Sequence, residues 1–211
     1  MTRFFSLLFV LALAAVVASA MPITYVVQVN TPAFGIPGWI DFSFQQQNAL
    51  TSLQATASIS DFQQTDFVMD TTVLASDPAI TGSLTSPPLV IPNDVGGTDD
   101  FLQHVTSWGS SFQFLVTISG PAVGTPALDG SGFLLTLYDD NFNYLEAPLG
   151  NNEVANITIN PDGTLTGNGS FFEGGSATVS LAPDASVPEP GTALLGAAAL
   201  AALIYRRHAQ A

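Results

Sequence analysis

The densest run of metal-type ligands in this chain is Asp139-Asp140-Asn141-Phe142-Asn143, where Asp139, Asp140, Asn141 and Asn143 all carry hard oxygens. Carboxylate and amide oxygens in one loop are the donor set that calcium takes. A second stretch, Asp94 to Asp100, joins Asp99 and Asp100 to two glycines that let backbone carbonyls turn inward. The first run is not an EF-hand loop, because Tyr144 stands where its glycine should be and Gly150 where its bidentate glutamate should be. A solvated acidic turn is the plainer reading of both.

Other chemistry is sparse. Glycoside hydrolysis needs two carboxyl groups held across a cleft, and Asp99-Asp100 and Asp139-Asp140 are adjacent acids. Adjacent residues on a strand point to opposite faces, however, and in a chain this acidic some pair always looks suitable. His104 is the one histidine between the terminal segments, and no Gly-x-Ser-x-Gly elbow accompanies it. No catalytic residue is assigned. Trp39, Trp108 and Tyr144 are candidates for stacking on sugar rings: Trp39 alternates onto a strand face with Asp41 and Ser43, while Trp108 and Tyr144 fall in expected loops. Packing at the rim of a core is the plainer reading for all three.

The elements that must position these residues are strands. Tyr25, Val27 and Val29 alternate with polar neighbours, as do Ile40, Phe42 and Phe44, then Leu53, Ala55, Ala57 and Ile59. The cleanest run is Phe112, Phe114, Val116 and Ile118. Phe133, Leu135 and Leu137, then Ala155, Ile157 and Ile159, then Ala177, Val179 and Leu181 repeat the pattern. Asn160-Pro161-Asp162-Gly163 reads as a tight hairpin turn. Only Thr98 to His104 suggests a helical turn, with Thr98 as its N-cap. Many short strands with turn punctuation predict an all-β fold, a single jelly-roll-like β-sandwich over residues 21–186.

Composition narrows the partners. All three basic side chains, Arg3, Arg206 and Arg207, are terminal, so the central body holds every carboxylate but Glu189 and no Lys or Arg. Such a polyanion is a poor match for nucleic acid or anionic membranes, which are bound through cationic side chains. Cations and neutral polymers suit it better. The absence of cysteine excludes disulfides and thiol chemistry.

The termini describe export. Met1-Thr2-Arg3, an apolar run from Phe4 to Val17 and Ala18-Ser19-Ala20 have the three parts of a secretory signal peptide, with cleavage after Ala20. At the other end, Pro188-Glu189-Pro190 precedes an uncharged stretch, Ala193 to Tyr205, expected to be a short helix, and a basic end at Arg206-Arg207. Thirteen residues rise roughly 20 Å, short of the ~30 Å hydrocarbon core, so this helix is a weak anchor. In that order these three parts resemble the PEP-CTERM sorting signal. The resemblance implies recognition by an exosortase, a membrane-embedded cysteine protease, with cleavage near residues 187–190 and release from, or attachment to, the cell surface. The body is also similar to a group of PEP-CTERM proteins through Gly38-Trp39-Ile40-Asp41-Phe42-Ser43-Phe44 and Leu137-Tyr138-Asp139, which implies an exported β-rich module. The expected protein is therefore a cell-surface or matrix protein with a structural or adhesive role. Its partners are signal peptidase, exosortase and an exopolysaccharide. Two alternatives stay open, a calcium-assisted carbohydrate-binding module and a glycoside hydrolase.

Overall fold

A computed structural model describes residues 21–182 except 33, 76, 94–97, 146–151 and 173–174. The export segments, with Ala18, Ala20, Pro188, Glu189, Pro190, Arg206 and Arg207, lie outside the described residues, as do Asp94 to Gly97. Within them the chain is all-β, as the alternation predicts, with no helix. Among the described residues, then, no helix is long and apolar enough to cross a membrane.

Among the described residues ten antiparallel strands form one sheet: β1 (Ile23–Asn30), β2 (Gly38–Gln46), β3 (Thr56–Ala75), β4 (Leu89–Pro92), β5 (Thr98–Ser119), β6 (Ser131–Asp139), β7 (Ala155–Ile159), β8 (Leu165–Gly169), β9 (Phe171–Phe172) and β10 (Gly175–Leu181). Their order is β8-β7-β6-β2-β5-β1-β10-β9, with β3 paired to β5 and β4 off that path. The 22-residue β5 is the axis of the arrangement. Its first half pairs with β2, Val105 opposite Gly38, and its second half with β1, Ser111 opposite Asn30, while β3 follows it along both halves. The change of partner falls at Gly109, whose φ is +56°.

The alternating runs supply the core. Ile40, Phe42 and Phe44 of β2, Phe112, Phe114, Val116 and Ile118 of β5, and Phe133, Leu135 and Leu137 of β6 are all buried. Phe42 meets Phe114 edge-on at 5.3 Å. The last expected strand run is only partly inside: Ala177 is buried, but Leu181 is exposed because it ends an edge of the sheet. At Gly167 of β8 an added Cβ would lie 2.4 Å from Val179 Cγ1 and 3.1 Å from the Tyr25 ring, so β8 lies directly against β10 and β1.

Two local expectations meet different outcomes. Asn160 to Gly163 forms the tight turn between β7 and β8, with the Gly163 N–H donating to the Asn160 carbonyl at 2.8 Å. Thr98 to His104, expected as a helical turn, is the start of β5. A cap satisfies one or two backbone groups, whereas a strand between β2 and β3 has ladder partners on both sides.

Candidate functional site

On β2 the residues between the core phenylalanines face outward, and the register sets their neighbours in rows. Trp39 lies opposite His104 of β5 and Tyr138 of β6; Asp41 opposite Leu102 and Thr136; Ser43 opposite Asp100 and Leu134. This outer face carries nearly all the chemistry of the described residues.

Its upper end is aromatic. The Trp39 and Phe142 rings stack, with centroids 5.7 Å apart at 17°, and Tyr138 packs on Tyr144 at 5.0 Å. Phe142 is 50% exposed and Tyr144 is exposed beside it, so the strip opens to solvent. The turn after β6 builds it. Asp139 Oδ1 accepts the backbone N–H groups of Asn141 and Asn143, each at 2.8 Å, and its Oδ2 accepts the Asn143 side-chain amide at 2.9 Å. That closure throws Phe142 into the left-handed region, φ +60°, over Trp39.

Calcium ligation is thereby harder for the first acidic run than its composition suggests. The Asn143 side-chain amide, and then the backbone amides of Asn143 and Asn141, hold the Asp139 carboxyl below its usual range. Asp140 turns instead to His104 Nε2 at 3.0 Å. Asp99 and Asp100, the other expected pair, point to opposite faces of β5: Asp99 is buried on the core side opposite Phe44, and Asp100 lies on the outer face. They do not converge on one ion, because successive residues of a strand alternate. Among the described residues no group of three histidine or acidic side chains is placed to hold a metal.

Trp108 also departs from expectation. It is a strand residue of β5, 2% exposed and wedged edge-on between Phe34 and Phe67, each at 5.6 Å. A ring inside the core cannot stack on a ligand. Trp39 does face outward as its alternation predicts, and Tyr144 stands at the rim.

His104 joins two elements across this face. Its Nδ1 lies 2.7 Å from Asp70 Oδ2 of β3 and its Nε2 3.0 Å from Asp140. Trp39 covers the ring edge-on at 4.9 Å. Burial disfavours the charged imidazole, but the bonds to Asp70 and then Asp140 outweigh it and raise its pKa. An acceptor on each nitrogen favours the doubly protonated ring.

The residue that sequence reasoning left unassigned is Asp41. It is 7% exposed, and its Oδ1 is buried with no hydrogen-bond partner. Burial, and then the charge of Asp100, push its carboxyl up to about 7. Burial likewise raises Asp100, against the bond from Ser43. Burial, Asp41 and the bond to Tyr144 raise the Tyr138 phenol, so it stays protonated at neutral pH. These groups line a concavity of about 260 Å³ that Tyr144, Thr136 and Glu153 complete. The available signal was the polar residue at an outward β2 position beside Trp39; nothing local marked it as buried.

A larger concavity, about 370 Å³, lies beside Gln54 and Asn93, but no acid or base is among its described lining. The Asn93 amide there is bonded to Leu53 and Ser131 and ties strands together. The chemistry therefore belongs to the outer face of β2. No protein-family model, no curated protein and no solved structure matches this chain.

Proposed function

We propose that this is an exported cell-surface or matrix protein, released from its signal peptide, sorted by an exosortase-type system through Pro188-Glu189-Pro190, and acting by binding a neutral polyhydroxylated polymer such as an exopolysaccharide. The body is a jelly-roll-like sandwich in which β3 and β5 run through both layers, a reading supported by the split partners of β5 and the packing of β8 on β10. The observation that carries the binding role is the solvent-open Trp39-Phe142 stack beside the Asp41 carboxyl, whose Oδ1 has no hydrogen-bond partner. Aromatic faces take the apolar face of a sugar, and a few convergent polar groups fix its hydroxyls. The lack of any Lys or Arg in the body argues against anionic ligands.

The test is affinity electrophoresis of the purified protein through gels containing neutral polysaccharides. Retardation that Trp39→Ala abolishes without loss of β-type circular dichroism is the expected result. Migration unchanged by every polysaccharide would reject the binding role. Glycoside hydrolysis is the second reading, favoured by one observation: Asp41 and Asp100 are diagonal neighbours on paired strands, and both are shifted toward the protonated form. New reducing ends, lost in Asp41→Asn, would replace binding with catalysis. For sorting, intact-mass analysis of surface material from an exosortase-bearing host should show loss of residues 1–20 and of the tail after the motif.

A further inference from the structure

The concavity at Asp41 does not stand alone. A second one, about 200 Å³, is lined by Gln46, Gly132, Asn156 and Thr158, and shares Gln45, Leu134 and Glu153 with the first. Together they run along β2 and β6, from the aromatic strip at Trp39 and Tyr138 to the far ends of the two strands at Gln45 and Gly132. Six residues of strand separate Trp39 from Gln45, roughly 20 Å at ~3.3 Å per residue. The first holds a buried polar atom without a partner, Asp41 Oδ1, and the second carries the outward polar side chains of Gln45, Asn156 and Thr158. Orphaned polar atoms cost free energy unless something bonds them. One elongated ligand would bond Asp41 and, farther along the same trough, the polar side chains of the second concavity.

We propose that this trough is a lengthwise binding site for an internal stretch of a neutral polysaccharide chain, with the Trp39-Phe142 strip seating one sugar ring and Asp41 at one end and Gln45 and Thr158 at the other bonding hydroxyls of separate units. The inference rests on the polymer-binding reading above and adds the site's extent, its direction and its preference for chains over single sugars. The lining fits hydroxyls: Ser43, Thr136 and Thr158 offer groups that both donate and accept, and Glu153 at the junction accepts. Burial keeps the Asp41 carboxyl partly protonated near neutral pH, so that it donates as well as accepts.

Gly132 makes the two halves separable. Its added Cβ would meet nothing closer than Leu134 Cδ2 at 3.7 Å, so a side chain enters open space there without moving backbone. The experiment is calorimetric titration of the purified full chain with neutral gluco-, manno- and galacto-oligosaccharide ladders, from monosaccharide to octasaccharide. The expected affinity rises at least roughly tenfold from disaccharide to hexasaccharide and then levels off. In Gly132→Leu the hexasaccharide falls back to the disaccharide's affinity, while the disaccharide is unaffected and the melting temperature holds. Equal affinity for short and long members of a ladder would overturn the lengthwise site yet leave sugar binding standing. Hexasaccharide binding untouched in Gly132→Leu would do the same. No binding to any ladder would reject both, as would tight, salt-sensitive binding of oligolysine in their place, which would assign the trough to a cationic peptide.

Discussion

Asp41 and His104 sit in adjacent rows of side chains and give the protein a pH dependence of one sign. The Asp41 carboxyl titrates at about 7 when folded, against ~3.9 in an unfolded chain. Between those values the native state binds more protons than the unfolded one, so stability falls as pH rises. The groups facing Asp41 are Asp100 on β5, Tyr138 on β6 and Glu153 and Tyr144 at the rim, and none of them is a cation. His104 acts in the same direction, since its raised value contributes stability below ~6.5 that is lost as pH climbs through it. Asp70, Asp139 and Asp162, all lowered by hydrogen bonds, lose their contribution only as pH falls below the usual carboxylate range. The melting temperature should therefore peak near pH 4, at the low end of that window, and decline toward pH 8. Asp41→Asn should remove most of that decline, on the order of a few kcal/mol, and His104→Gln a further part, with Asp100 supplying the rest. Differential scanning calorimetry of both variants from pH 4 to 8 checks this; an Asp41→Asn curve parallel to the parent's would show that the carboxyl is not buried as described.

At the scale of elements, two irregularities position the site. β3 slips register between Met69 and Val73, and the extra residues form a bulge that carries Asp70 over His104. Gln103 pins it, its amide donating to the carbonyls of Asp70 and Thr72 at 2.9 and 3.2 Å. The second irregularity is Gly109, where β5 changes partners. Its φ is positive, and an added Cβ would lie 2.2 Å from the Thr65 carbonyl oxygen and 2.5 Å from the Asp66 carbonyl carbon, both backbone atoms that cannot swing aside. Gly124 has φ +70° but nothing within 4 Å of its added Cβ, so it isolates the conformational part of the effect. Gly124→Ala should cost about 1 kcal/mol, and Gly109→Ala at least twice as much, a melting-temperature loss of roughly 5–10 °C. Equal losses for the two would mean that β3 does not pack against the bend.

At the scale of the whole chain, the body from residue 21 to residue 186 is a polyanion with no cationic side chain except the histidine. Folding brings like charges together, so added salt should stabilise it as screening shortens their reach to ~10 Å at 0.1 M. Calcium is the sharper question. Both Asp139 oxygens already accept bonds from Asn141 and Asn143, and Asp99 and Asp100 face apart. Ca²⁺, Mg²⁺ and NaCl at matched ionic strength are therefore expected to give the same melting curve. A calcium-specific rise, abolished in Asp139→Asn with Asp140→Asn, would show that the turn opens to take the ion.

Alternation in the sequence determined the strands and their inward faces: the Phe112, Phe114, Val116 and Ile118 run and its counterparts on β2, β6 and β7 are the core, because a period of two leaves each strand only one side to bury. It also put Trp39 outward and marked the Asn160 to Gly163 turn, where the chemistry is local. Tertiary structure alone decided the rest. Thr98 to His104 reads as a capped turn in isolation but becomes a strand because β2 and β3 flank it; Trp108 reads as a loop ring but is walled in by Phe34 and Phe67. The site belongs to the same category. Asp41, Asp100, Tyr138 and Glu153 come from four separated segments, and burial or a neighbour's charge shifts a carboxyl only once pairing has fixed the register among them. No local pattern encodes which distant strands will pair.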